Sequence, residues 1–95
     1  MNDIRLEDAL FNWLQIKMVC EARPLDRAAL ETESFFFKIL TEDLGLSDVK
    51  VAAVGDDLLQ IRFVRDGKEE RKTFDRQMAE QLLHDINANP KFNED

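Results

Sequence analysis

Residues Ile4 to Ala22 read IRLEDALFNWLQIKMVCEA, and this stretch carries more apolar surface than one contact can bury. At about 100° per residue its apolar side chains fall on two stripes of a helix. Leu6, Ala9, Leu10, Trp13, Ile16 and Cys20 form one, and Ile4, Phe11, Leu14, Met18 and Ala22 the other. Arg5, Asp8, Asn12 and Gln15 form a polar stripe between them. The helix is thus apolar over roughly two thirds of its circumference, where a surface helix shows a stripe a little over 100° wide. It needs cover on two sides. Either the rest of the chain wraps it, or one stripe faces the core and the other a partner. A small domain has little material for wrapping, and a second copy is the simplest alternative cover.

Working outward, Pro24 disfavours helical geometry in Arg23 and ends the first helix there. Asp26 is an N-cap for a second helix that runs to about Leu44 and stops at Gly45. Its apolar face collects Ala28, Ala29, Phe35, Phe36, Ile39 and Leu40. The run Phe35-Phe36-Phe37 spreads over the helix surface, so at least one ring belongs at the edge of the core or in a contact. The short link predicts a helical hairpin.

The period then changes to two. Val49, Val51 and Val54 with Lys50 predict a short strand, and Leu58 to Arg65 predicts a second. Asp66-Gly67 is a hairpin signal, and Glu69 to Phe74 returns as a third strand. A two-residue turn would set Arg65 against Lys68 and Arg62 against Arg71, which like-charge repulsion opposes. Charge therefore favours a four-residue loop, with Arg65 opposite Glu70 and Ile61 opposite Phe74. Asp75 caps a third helix from Arg76 to about Ala88. The expected fold is α+β in the order ααβββα: a helical hairpin, a three-stranded antiparallel meander and a C-terminal helix, with helices on one face of the sheet. Residues 1–88 form one domain, and 89–95 a polar tail in which Phe92 is the one large apolar side chain.

Composition bounds the function. The 95 residues carry a net charge of −7, which opposes nonspecific binding to nucleic acid. The single cysteine excludes an internal disulfide and fits a reducing compartment. The acidic N-terminus is unlike a secretory signal, and no run approaches a membrane span, so a cytoplasmic location is expected.

Motifs for chemistry are sparse. His84, the one histidine, lies a turn after Glu80, but two ligands do not make a metal site. Cys20 falls on an apolar stripe and reads as a small hydrophobe rather than a nucleophile. The carboxylate pairs Asp56-Asp57 and Glu42-Asp43 sit at a turn and a helix end, where solvated acids belong. Gly45, Gly55 and Gly67 are scattered and make no phosphate loop. No cofactor, metal or catalytic residue is expected.

Three surfaces remain. The excess apolar area of the first two helices points to a protein partner or to self-association, with Leu10, Phe11, Trp13, Leu14 and Phe37 as contact residues. Arg62, Arg65, Lys68, Arg71, Lys72 and Arg76 make the hairpin locally basic, an alternative site for an anion or nucleic acid. The simpler reading of those charges is a solvated hairpin that keeps sheet edges apart. The Val49–Val54 strand, with little charge besides Lys50, is a docking or dimer edge. A non-enzymatic interaction module, self-associating through the first helix, is the leading expectation.

Overall fold

The computed structural model describes residues 3–88. Helix α1 spans Asp3–Ala22 and α2 spans Arg27–Lys38. The strands are β1 (Leu46–Val54), β2 (Leu58–Arg65) and β3 (Lys68–Asp75), followed by α3 (Arg76–Ala79) and α4 (Gln81–Ala88). The α+β order is the expected one. Asp26 caps α2 by accepting from the Ala29 N–H at 3.1 Å, and Asp75 caps α3 through the Met78 N–H at 3.1 Å. Two helices are less regular than their periodicity predicts. The second widens over Ile39–Asp43 into a π turn, where the Leu44 N–H donates to the Ile39 carbonyl at 3.0 Å. The third breaks at Glu80 into α3 and α4. The tail, with Phe92 and Asn89, lies outside the described residues, as does the side chain of Ile4.

Helix α1 is wrapped by its own chain. Leu6, Leu10, Trp13 and Leu14 join Leu40, Leu46, Leu59, Ile61 and Phe63 in one buried cluster, with Phe11 and Met18 packed on its flank. Ile16 and Val19 join Ala29 in a second, flanked by Leu82, Leu83 and Ile86 of α4. Val19 lies at the angle of the polar stripe, yet it is fully buried, because α2 and α4 close over that end of the helix. So most of the described apolar side chains of α1 are covered internally, by the sheet and by α2 and α4, while Ala22 is exposed.

The sheet order is β1-β2-β3, antiparallel throughout. Leu59, Ile61 and Phe63 of β2 are buried against the helices, and the alternate residues face outward. The β2–β3 register corrects the expectation from charge. Asp66-Gly67 is a two-residue turn: Arg65 stands opposite Lys68, Arg62 opposite Arg71, and Ile61 opposite Lys72 rather than Phe74. Asp66 (φ 55°) and Gly67 (φ 77°) are both left-handed, the geometry of a type I′ turn, whose twist matches the strands. Like charges are tolerated because Arg65 and Arg62 each find a carboxylate on the diagonal. Arg65 makes two hydrogen bonds to Glu70, at 3.1 and 3.2 Å, and Arg62 reaches Glu69 at 3.3 Å. Diagonal neighbours on one face of a sheet lie within reach of long side chains.

Candidate functional site

The residues expected at a partner contact do not share a surface. Leu10 and Leu14 are 0% exposed and Trp13 is 3% exposed, so all three belong to the core. Phe11 is half-buried against Phe74 of β3, with ring centroids 5.7 Å apart. Only Phe37 is open, at 37% exposure. Leu10, Trp13 and Leu14 are spent on packing within the chain, and Phe37 is the exposed member of the set. From the aromatic run, Phe35 is the most exposed ring and stacks edge-on to Phe36 at 5.5 Å.

The basic hairpin also disperses. Arg62 and Arg71 lie on the outward face of the sheet, and Arg65, Lys68 and Lys72 on the helix side. Arg65 pairs with Glu70, Lys72 with Glu7 at 3.4 Å, Arg62 with Glu69, and Arg76 with Glu80 at 3.2 Å. Four of the six cations are therefore neutralised locally and form no continuous positive patch.

The structure instead assembles a cleft of about 800 Å³ between the outer edge of β1 and the two long helices. Val49 to Ala53 form one lip, and Trp13, Met18 and Phe37 line the opposite wall. The wall is fixed by a cluster around Trp13. Its indole N–H donates to Glu33 Oε2 at 2.7 Å, its ring lies 5.9 Å from that of Phe37, and Lys17 Nζ sits 5.6 Å from its centroid. Buried tryptophan needs an acceptor for its N–H, and that requirement is the one sequence signal that could have drawn Glu33 into the site. Lys17 is also paired with Glu21 at 3.7 Å. No described carboxylate forms an ion pair with Lys50, which projects from the lip.

The lip is an edge strand. β1 pairs only with β2, so its other row of backbone N–H and C=O groups has no strand partner among the described residues. A β-bulge between Ser47 and Lys50, with Asp48 left-handed at φ 52°, distorts its first half. From Val51 to Val54 the edge is regular and uncharged.

The remaining chemistry-bearing groups stay apart. Burial, and then the nearby Glu33 and Asp26, push the Cys20 thiol above its ordinary pKa, the opposite of an activated nucleophile. His84 Nε2 is 3.9 Å from Glu80, and both lie on the helix surface. Among the described residues no three histidine, cysteine or acidic side chains gather as a metal site, and no helix is long and apolar enough to cross a membrane. Comparison with models of known families, with curated proteins and with solved structures finds no match.

Proposed function

We propose that this chain is a small, cytoplasmic, non-enzymatic protein-interaction module that docks an extended segment along β1. The observation that supports the reading is an unpaired strand edge, uncharged from Val51 to Val54, with a cleft of mixed apolar and charged lining directly beside it. An edge strand offers backbone hydrogen bonds to an added strand, and pockets alongside it select alternate side chains. The contact residues of this reading are Val49 to Val54 with Phe37 behind them, in place of the buried face of α1.

Selection from a random peptide display library on the full chain tests it. The expected peptides are extended, with apolar residues at alternate positions. In an amide-shift titration they perturb Val49 to Val54 and the Trp13 indole N–H. Perturbations confined to the outward sheet face or to Phe35, or a failure to select any peptide, would sink the proposal. Nucleic-acid binding by the hairpin is the lesser reading, since four of its cations are already paired. It requires affinity for single-stranded oligonucleotides that falls steeply with salt.

A further inference from the structure

We infer that the open face of the sheet is a second contact surface, which takes an acidic segment of another protein across a row of three cations, Lys50, Arg62 and Arg71. This surface is separate from the β1 edge, and its failure would leave the docking reading untouched.

The row follows from the register. Lys50 of β1 stands opposite Arg62 of β2, and Arg62 stands opposite Arg71 of β3. Residues directly opposite share a face, and Arg62 lies between the buried Ile61 and Phe63, so all three point away from the helices. Each is exposed. Adjacent strands lie about 4.8 Å apart, so three positive charges are rooted within about 10 Å. Like charges directly opposite one another oppose strand pairing. Compensation within the chain is incomplete. Glu69 accepts from Arg62 at 3.3 Å and Asp48 borders the same hollow, whereas Lys50 and Arg71 form no ion pair with a described residue. In a chain of net charge −7, this row is the feature that attracts an anion to the sheet.

The rest of the face selects the anion. Four residues along β1 from Lys50, Val54 stands opposite Leu58, and the two are 41% and 39% exposed. That apolar pair lies about 13 Å from the cation row. The outward residues of the three strands include no aromatic ring, so the face lacks the stacking platforms that hold single-stranded nucleic acid. A segment with carboxylates at one end and apolar side chains about 13 Å further on satisfies both ends of the face. Arginine forks take carboxylates through paired hydrogen bonds, and Val54 and Leu58 give up apolar surface to the other end.

The probe is a synthetic peptide of three glutamates, two serines and two leucines, which spans that distance when extended. Its control carries glutamine in place of glutamate. Amide-shift titration of the full chain to about 1 mM peptide, at about 0.15 M salt, reads the contact. The Debye length is then about 8 Å, so most of the chain's own negative charge is screened while the row still acts. Shifts are expected at Lys50, Arg62, Arg71 and Leu58. Arg71→Gln should weaken binding about threefold, and Arg71→Gln with Lys50→Gln about tenfold. Because Arg71→Gln removes one of three like charges, its urea midpoint should hold or rise. A lower midpoint would make the row structural and overturn the inference. No binding by about 1 mM, equal binding of the glutamine control, or shifts that spare Arg62, Arg71 and Leu58 would overturn it too. So would an oligothymidylate that binds the same three cations more tightly than the peptide, since the occupant would then be a nucleic acid.

Discussion

The two edges of the sheet are built differently. β3, KEERKTFD, carries Lys68, Glu69, Glu70, Arg71, Lys72 and Asp75, six charges in eight residues. β1, LSDVKVAAV, carries Asp48 and Lys50, both in its bulged half. Charged side chains and bulges are the usual means of preventing edge strands from pairing with other chains. β3 is protected along its whole length, and β1 only at its beginning. Yet both strands hang on the same central strand and face the same helix layer. Core formation alone would not distinguish them. What the difference teaches is that the fold does not require the Val51–Val54 edge to be unprotected, and the docking proposal rests on that contrast.

The largest change that tests the comparison removes its common support. Phe63 is among the largest fully buried side chains and sits on β2 between the two edges. Phe63→Ala should cost about 3–5 kcal/mol, measured by urea denaturation, and both edges should be lost in a single transition. If β1 and β3 instead melted separately, they would not belong to one cooperative unit. A smaller change separates them. Gly67 has φ 77° with open space around it, so the penalty at Gly67→Ala is conformational rather than steric. It should cost about 1 kcal/mol by the same measurement and loosen β3, with amide exchange quickening there more than in β1.

Much of this was legible in the residues, for physical reasons. The Leu59-Ile61-Phe63 alternation defines a strand face, and the Asp26 and Asp75 caps locate two helix starts. The apolar excess of α1 is also visible, but its destination is not. Stripe width shows how much cover a helix needs and is silent on who supplies it; here α2, α4 and the sheet do so together. The hairpin register misleads because directly opposite charges are easy to list, whereas Arg65–Glu70 and Arg62–Glu69 act on the diagonal. A backbone turn with two left-handed residues outweighs like-charge terms of a few tenths of a kcal/mol. The cleft is the least legible feature. It joins Trp13, Glu33, Phe37 and β1 across the chain, and only the packing of α2 beside the edge brings them together.

The charge ladder of β3 offers a finer test. Arg65 and Glu70 are each about a third exposed and doubly hydrogen-bonded. Glu70→Ala should cost about 1 kcal/mol and leave the Arg65–Lys68 repulsion without its diagonal partner. A double-mutant cycle with Arg65→Ala isolates the pair, and a coupling near zero would mean that the turn alone holds the register.

The smallest expected effect concerns the tie between β3 and α1 and its response to salt. Lys72 Nζ reaches Glu7 Oε2 at 3.4 Å and so ties β3 to α1, with Glu7 half in water. Glu7→Gln should therefore cost only a few tenths of a kcal/mol at low ionic strength, and nothing measurable at 1 M salt, where the Debye length is about 3 Å. Urea titrations of the wild type and Glu7→Gln at two salt concentrations read it, and a cost that persisted at 1 M salt would mean that the side chain of Glu7 holds β3 by something other than its charge.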